Sequence, residues 1–243
     1  MTRVWGIMAM ARALLAAGAL MLSACGDDRF PDYRYKMTVE VDTPDGVKRY
    51  SSVREIKQEE IATALASSGR RVKTTLRGEA VVMDLPGRNT PVFALLSRPD
   101  NADYAKGVAP NALRAGMAAD TGPGDYLDRM AREQQAMVAV EGPRELSRFR
   151  ERRGEPPADQ WPMFVAFDDP ADPKTVREVS PESIGVRRIL VEITDEDVTT
   201  GIGGRLPWLG DYPEPSLNPA HGPRDYSLPA TLTHGAFRME TKK

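Results

Sequence analysis

Residues 33–42 alternate between apolar and polar side chains, and this pattern constrains the fold more than any other stretch of the chain. A period of two places the apolar set on one face of a β-sheet and the polar set on the other. The next four residues, Thr43-Pro44-Asp45-Gly46, combine a proline that fixes φ with a glycine that tolerates positive φ, so we expect a tight reversal. The segment from Tyr50 to Lys57 is therefore predicted to pair back as the second strand of a hairpin.

Two apolar runs further along the chain predict a second hairpin. Residues 72–85 end in Ala80-Val81-Val82-Met83, and the turn-forming residues 86–89 connect them to the apolar run at 91–96. Because both runs are continuous, we expect their strands to be buried on both faces. Residues 161–167 and 186–193 are also rich in strand-forming side chains and predict two more strands.

One helix is clearly indicated. It begins at Asp125, carries apolar and charged residues on opposite sides, and is stopped by Gly142-Pro143. Residues 58–68 fit a helical turn and a continued strand equally well. Residues 97–124 have no clear period except over 111–118, where a short helix fits, so we interpret them as a long surface loop.

These elements predict an α+β fold with a single domain, a mostly antiparallel sheet of about six strands, one packing helix and an extended C-terminal tail rich in proline and glycine. The chain is divided accordingly into a signal peptide (1–24), an acidic tether (25–32), a globular domain (33–198) and an extended or partly disordered tail (199–243). The tail is expected either to lie across the domain or to hang free.

The N-terminal segment has the features of an export signal. Arg3 and Arg12 are the only charged residues before Asp27, and residues 13–22 contain only Ala, Leu, Gly and Met. This run is too short to cross a bilayer, since a spanning helix needs ~20 apolar residues. A cleaved signal peptide is therefore the better interpretation, and the small residues Ser23 and Ala24 suit a peptidase cleft.

The residues Leu22-Ser23-Ala24-Cys25 resemble a bacterial lipobox. In lipoproteins of that class the cysteine thiol carries a diacylglycerol, the signal is cut before the cysteine, and the new amine is acylated. The resemblance implies a long-lived anchor, because two or three acyl chains bind a membrane far more strongly than one. The alternatives are an ordinary secretory signal that contains a cysteine and an uncleaved N-terminal helix. Gly26, rather than Asp, follows the cysteine, so the inner-membrane retention signal of enteric lipoproteins is not matched and the outer membrane is slightly favoured.

Composition excludes some partners. The formal charge of −2 becomes −4 when the two arginines of the signal are removed, so the mature chain has no basic surplus with which to neutralise phosphates. Nucleic-acid binding is therefore disfavoured. Because Cys25 is the only cysteine, no internal disulfide can form, and stability must come from core packing.

The sequence contains no specific pattern of catalytic or metal-binding residues. The chain has only two histidines, His221 and His234, both in the tail, which disfavours histidine-dependent hydrolases and histidine-rich zinc sites. The glycine-rich segment 200–205 resembles a phosphate loop only superficially, because no Lys-Ser or Lys-Thr pair follows it. We therefore expect no cofactor, no metal and no catalytic residue that the sequence alone can assign.

Acidic residues supply the candidates for an alternative, hydrolytic function. Asp168, Asp169 and Asp172 lie close enough in sequence to bind a hard cation, although aspartate next to proline is also typical of a turn. Glu79 and Asp84 are the second candidate set. Pairs of carboxylates are common in any chain with 35 acidic residues, so this pattern has little specificity.

Aromatic and basic residues supply candidates for binding. An aromatic shelf for a glycan is one interpretation of Trp161, Trp208, Tyr212 and Tyr226, and closure of a core is the other. The apolar residues Leu206, Trp208 and Leu209 stand in a proline-rich tail, so they either dock on their own domain or contact a partner. The five arginines of residues 144–153 are typical of a solvated connector, and a patch for an anionic lipid or polymer is the alternative.

Several stretches together resemble a family of uncharacterised lipoproteins from alphaproteobacteria, over about residues 33–209. They are Tyr35-Lys36-Met37-Thr38-Val39-Glu40-Val41, Gly78-Glu79-Ala80-Val81 with Asp84-Leu85-Pro86-Gly87, Asp169-Pro170-Ala171-Asp172-Pro173, and Val198-Thr199-Thr200-Gly201-Ile202 with Leu206-Pro207-Trp208-Leu209. The resemblance implies an exported, lipid-anchored, periplasm-facing protein and gives no activity. Two hypotheses follow: a non-enzymatic binding or structural module that contacts another envelope protein, and an envelope hydrolase that uses acidic residues.

Overall fold

The fold is taken from a computed structural model, which describes residues 29–64, 69–152, 154–210 and 214–240. The lipobox, Cys25 and Tyr212 lie outside these residues. The strands of the described residues are β1 (Tyr33–Thr43), β2 (Gly46–Ala62), β3 (Arg70–Glu79), β4 (Val81–Met83), β5 (Val92–Ala94), β6 (Arg144–Glu145), β7 (Phe149–Arg152), β8 (Glu155–Asp159), β9 (Phe164–Phe167), β10 (Val176–Glu178), β11 (Val186–Ile193) and β12 (Arg238–Met239). The helices are α1 (Tyr104–Leu113), α2 (Tyr126–Val138) and the single-turn α3 (Leu228–Thr231).

An antiparallel sheet of six strands, ordered β12-β3-β2-β1-β11-β6, forms the first layer. Its centre is the hairpin predicted from the alternating sequence: Tyr33 pairs with Ile56, and Thr43 pairs with Gly46 across the turn. Gly46 has a φ of +101°, which explains why a glycine ends this turn. The inward side chains of β1 are Tyr33, Tyr35, Met37, Val39 and Val41, and all five are buried.

A smaller antiparallel sheet, ordered β10-β9-β5-β4, forms the second layer. Residues 92–96, which comprise β5 and the two residues after it, are all buried, and alternate members belong to different cores. Val92 and Ala94 face the core shared with the first sheet, whereas Phe93 and Leu95 face a second core on the opposite side. The prediction that this apolar run is buried on both faces is therefore confirmed.

The C-terminal segment, residues 199–210 and 214–240, covers the far side of the small sheet and forms the third layer. Its buried residues Leu217, Leu232 and Phe237 complete the second core, and β12 pairs with β3 at the edge of the large sheet. Of the two alternatives for the tail, the described residues lie across the domain, because their scattered apolar side chains fold back as one covering layer.

The helices differ from the sequence prediction in one respect. Helix α2 begins as predicted at Asp125, whose side chain accepts a hydrogen bond from the Asp128 backbone N–H while the Asp128 side chain accepts one from the Asp125 N–H. Helix α1, however, lies within the stretch interpreted as a surface loop, and six of its ten residues are buried. The long surface loop over 97–124 is therefore wrong. Packing against the first core sustains a helix that contains Gly107 and Pro110.

The remaining strands also correct the prediction. Strand β2 continues to Ala62, which decides the ambiguity of residues 58–62 in favour of a strand. Residues 149–152, part of the stretch interpreted as a solvated connector, and residues 155–159 form a two-stranded antiparallel ribbon of β7 and β8. All described elements belong to one α+β domain with mostly antiparallel sheets, as predicted, but the strands form three sheets and the helices number three in the described part of the chain.

Candidate functional site

The chain enters the domain at Arg29 and Phe30, where the two side chains are fixed against α2. Arg29 pairs with Asp128 and, at 3.2 Å, with Glu60, and Phe30 packs on Leu127 with only 2 % of its surface exposed. The predicted acidic tether extended to residue 32, but the domain already holds residues 29 and 30. Residues 26–28 separate Cys25 from Arg29, the first residue that the structure describes.

The three aspartates proposed for cation binding build a turn. The Asp169 carboxylate accepts a hydrogen bond from the Ala171 N–H at 2.9 Å, and the Asp172 carboxylate accepts one from the Lys174 N–H at 3.0 Å. Asp168 pairs with Arg177 at 2.9 Å. The described part of the chain holds no group of three or more histidine, cysteine or acidic residues arranged to bind a metal. These aspartates therefore serve turn geometry.

The second acidic pair, Glu79 and Asp84, is split between two environments. Asp84 is exposed and forms a bidentate ion pair with Arg205, at 3.1 and 2.6 Å. Glu79 is 4 % exposed, and its Oε2 accepts a hydrogen bond from the Ile202 N–H at 2.9 Å. Each carboxylate is thus engaged by a different part of the C-terminal segment.

Glu79 lines a cleft of about 220 Å³. Burial raises the pKa of its carboxyl, while the backbone N–H groups of Ile202 and Gly201 act in the opposite direction and offset part of that rise. The other lining residues are Arg77, Gly78, Val198, Thr199, Thr200, Arg238, Met239 and Glu240. The glycine-rich segment that resembles a phosphate loop therefore directs backbone N–H groups at a carboxylate of the same chain.

The segment proposed to contact a partner, Leu206, Trp208 and Leu209, docks on its own domain. Leu206 is fully buried and Leu209 is 8 % exposed, both in the second core. The Trp208 ring lies 5.7 Å from the ring of Phe167 and 5.6 Å from that of Phe237, and its Nε1–H donates to the Pro170 carbonyl at 2.9 Å. The sequence offered two alternatives for this segment, docking on its own domain or contact with a partner. The observed contacts correspond to docking on its own domain.

The aromatic shelf is not assembled. Trp161 belongs to the first core and donates its Nε1–H to the Leu146 carbonyl, whereas Trp208 belongs to the second core. Tyr226 is 82 % exposed, and Tyr212 lies outside the described residues. Trp161 and Trp208 therefore close two separate cores.

The histidines have structural contacts. His234 lies edge-on to Trp208 at 5.2 Å, and its Nδ1 accepts a hydrogen bond from the Gly210 N–H at 3.3 Å. Burial lowers the pKa of His234. His221 is exposed, and its Nδ1 contacts the Gly222 carbonyl at 3.1 Å.

The arginine-rich segment shapes a groove that the sequence did not predict. The groove measures about 480 Å³ and is lined by Pro110, Asn111, Arg114 and Ala115 of the α1 side and by Ser147, Phe149, Arg150, Glu151 and Gln160. Arg148 is held beside it by ion pairs with Glu182 and Asp159, and its guanidinium lies 5.0 Å from the Phe149 ring centre. The remainder of Phe149 faces solvent, with 54 % of its surface exposed.

A buried arginine is the second feature that sequence reasoning missed. Arg54 faces the first core, because β2 register places it opposite Tyr35, and it is fully buried. Its Nη1 lies 3.4 Å from the Tyr35 hydroxyl, its Nε lies 3.4 Å from the Glu79 carbonyl, and its Nη2 has no hydrogen-bond partner among the described residues. A cation without a carboxylate partner is costly in a core. The sequence predicted a strand over Tyr50 to Lys57, but only the fold shows what surrounds Arg54.

The outer face of the large sheet carries a compact charge cluster. Glu40 is nearly fully covered, because Arg49 donates to one of its oxygens at 2.8 Å and Arg188 donates to the other at 2.7 Å. These hydrogen bonds lower the pKa of Glu40 to about 2. The cluster joins three neighbouring strands and ties β11 to the central hairpin.

No helix in the described residues has both the length and the apolar character needed to cross a membrane.

No family model, no curated protein and no solved structure matches this chain.

Proposed function

We propose that this protein is a lipid-anchored envelope protein that acts as a non-enzymatic binding or structural module. Cys25 is the lipidation site, the signal peptide is cut before it, and the folded domain faces the periplasm, with the outer membrane slightly favoured. The resemblance to alphaproteobacterial lipoproteins supports the same assignment. The partner of the module is another envelope protein.

The anchor is supported by the N-terminal sequence and by the way in which the chain enters the domain. A basic start, a short apolar run and two small residues precede the one thiol of the protein. The domain then begins at Arg29, whose ion pairs with Asp128 and Glu60 fix the end of a very short connection. This arrangement is the one expected for a domain held close to a membrane surface.

The observation that carries the choice of a module over a hydrolase is the internal use of the acidic candidates. Asp169 and Asp172 cap backbone N–H groups of a turn, Asp84 pairs with Arg205, and Glu79 binds the Ile202 N–H. Hydrolysis by a carboxylate pair needs two acidic groups that face one substrate at a spacing of ~5–9 Å. The named candidates instead face different internal partners.

The anchor is tested with Cys25→Ser. This variant is expected to lose incorporation of labelled palmitate and to leave the membrane fraction, because the acyl chains supply the membrane affinity. Ser23→Ala keeps a small side chain at the cleavage region and serves as the matched control that retains both properties. Membrane association of Cys25→Ser that survives alkaline carbonate washing contradicts the proposed anchor.

The binding role is tested by cross-linking in intact cells followed by affinity purification in detergent. The expected result is a defined envelope protein that is recovered with the wild-type chain and lost when Cys25→Ser removes the chain from the membrane. Recovery of the chain alone at every cross-linker concentration contradicts a binding module.

The Glu79 cleft is the specific observation in favour of the second candidate, an envelope hydrolase. A buried carboxyl with a raised pKa is a property of general acids, and Glu240 lines the same cleft. Under this alternative the purified protein cleaves an envelope polymer such as peptidoglycan, and Glu79→Gln abolishes cleavage without lowering the melting temperature. Absence of products with the wild-type protein decides against it.

A further inference from the structure

Three of the five large apolar side chains that are exposed in the described residues belong to the segments around α1, α2 and the ribbon of β7 and β8. They are Met117, Tyr126 and Phe149, and the other two are Val47 and Tyr226. Met117 follows α1, Tyr126 begins α2, and Phe149 begins β7. Exposed apolar side chains that gather on one side of a soluble domain mark a surface that contacts something apolar.

Helix α2 connects these side chains into one surface. Tyr126, Arg129 and Glu133 are spaced by three and four residues, so they share a face of the helix. Glu133 pairs with Arg114 at 3.3 Å, and Arg114 lines the same groove as Phe149. The helix face that begins at Tyr126 is therefore linked to the ribbon of β7 and β8 through Glu133 and Arg114.

The start of this face coincides with the point where the chain enters the domain. Asp125, the residue before Tyr126, lies 3.5 Å from the Arg29 guanidinium. Four peptide units separate Cys25 from Arg29, and at ~3.8 Å per unit their Cα atoms are at most ~15 Å apart. An anchor at Cys25 therefore keeps the N-terminal end of α2 close to the lipid surface.

Two arginines add charge of the required sign to this surface. Arg129 and Arg150 are exposed, and Glu151 lines the same groove as Arg150. Basic side chains close to an anionic leaflet are attracted to lipid headgroups, and aromatic side chains prefer the boundary between headgroups and acyl chains. We call the surface formed by Arg114, Met117, Tyr126, Arg129, Phe149 and Arg150 the helical flank.

We propose that the helical flank rests on the bilayer that holds the Cys25 anchor, with Tyr126 and Phe149 entering the headgroup region. This inference depends on the proposed lipid anchor and adds the orientation of the domain to it. None of the residues that line the Glu79 cleft or form the Glu40 cluster belongs to the helical flank.

The test uses the mature, lipidated chain reconstituted into vesicles of phosphatidylethanolamine and phosphatidylglycerol. Four separate variants, Tyr126→Cys, Phe149→Cys, Val47→Cys and Tyr226→Cys, receive a fluorescent label on the new thiol. All four positions are exposed, so the label does not disturb the core. Val47 lies in β2 and Tyr226 in the C-terminal segment, outside the segments that form the flank, so they serve as matched controls. Because the thioether of an acylated Cys25 does not react, each chain carries one label.

The proposal predicts that phospholipids with a nitroxide group quench the labels at 126 and 149 at least about twofold more than those at 47 and 226, since interfacial side chains enter the lipid by ~5–10 Å. Equal quenching at all four positions, or none at the flank, overturns it. Protection of the flank labels that grows with the protein-to-lipid ratio identifies a second copy as the occupant and also overturns it.

A result that contradicts the lipid anchor can be distinguished from one that contradicts only the orientation. A wild-type chain that takes up one label on Cys25, with an intact mass that lacks acyl groups, contradicts the proposed lipidation and removes the basis of the orientation. An acylated wild-type chain that takes up no label, combined with unquenched flank positions, contradicts the orientation alone.

Discussion

The docking of the C-terminal segment makes Phe237→Ala the most informative single substitution. Phe237 is fully buried, and its ring centre lies 5.8 Å from that of Phe93, 5.7 Å from that of Phe167 and 5.6 Å from that of Trp208. Truncating a buried phenylalanine to alanine costs ~3–5 kcal/mol, because the transfer free energy is lost and a cavity is left. Contacts with three aromatic rings place this site in the upper half of that range, at about 4 kcal/mol.

The assay is urea unfolding of the mature chain carrying Cys25→Ser, followed by tryptophan fluorescence and circular dichroism. With an unfolding slope of ~2.5 kcal/mol per molar urea, a loss of about 4 kcal/mol lowers the midpoint by about 1.6 M. Tyr226→Ala is the matched control, because the exposed ring of Tyr226 belongs to the same segment and its removal is expected to cost less than ~0.5 kcal/mol. Equal midpoints for Phe237→Ala and Tyr226→Ala would refute the docking of the segment and the existence of the second core.

Three further predictions concern the large sheet and the cleft. Gly78→Ala is expected to lower the free energy of unfolding by ~2–3 kcal/mol, because φ is +150° and a Cβ would lie 2.9 Å from Arg54 Cγ. Gly204 has open space around it, so Gly204→Ala should unfold at nearly the wild-type temperature. Because the pKa of Glu40 is lowered, its contribution to stability is present above the ordinary glutamate pKa of 4.5 and is lost as pH falls towards about 2. Thermal unfolding should therefore show a smaller loss of stability over this pH window in Glu40→Gln than in the wild type. Because the pKa of Glu79 is raised, its ionisation destabilises the fold as pH rises above 4.5. Glu79→Gln should remove that part of the pH dependence of stability. If the stability of Glu79→Gln runs parallel to that of the wild type from pH 4 to 7, the result argues against a buried, ionisable Glu79.

Elements whose sequence pattern lies within the element itself could be predicted from local sequence signals alone. The alternation of β1, the turn at Gly46 and the capping residue Asp125 each act within a few residues, and all three are present in the structure. The apolar run at 92–96 likewise indicated its burial on both faces. These predictions are confirmed because the physical cause lies in the same stretch of chain as its effect.

The elements that depend on distant contacts could not be predicted in this way. Helix α1 contains Gly107 and Pro110, so its helical propensity is poor, and it is stabilised by burial of residues such as Val108 and Leu113 in the first core. Leu206 and Phe237 are separated by prolines and glycines that suggest an unstructured tail, although both belong to one core. No local pattern signals such a core.

The candidate sites show the same limit. Glu79 and the Ile202 N–H are 123 residues apart in sequence, and their hydrogen bond appears only once β3 and the C-terminal segment are brought together. Burial of Arg54 follows from its register opposite Tyr35, but the lack of a carboxylate partner among the described residues depends on the side chains from β1 and β3 that surround it. The groove beside Phe149 needs α1, which the sequence did not predict.

The intact mass of the mature protein purified from bacterial membranes tests the central claim most directly. The account predicts a polypeptide that begins at Cys25 and carries a diacylglyceryl group on sulfur, with or without an N-acyl chain. A polypeptide that retains residues 1–24, or one that begins at residue 25 with an unmodified cysteine, would contradict it.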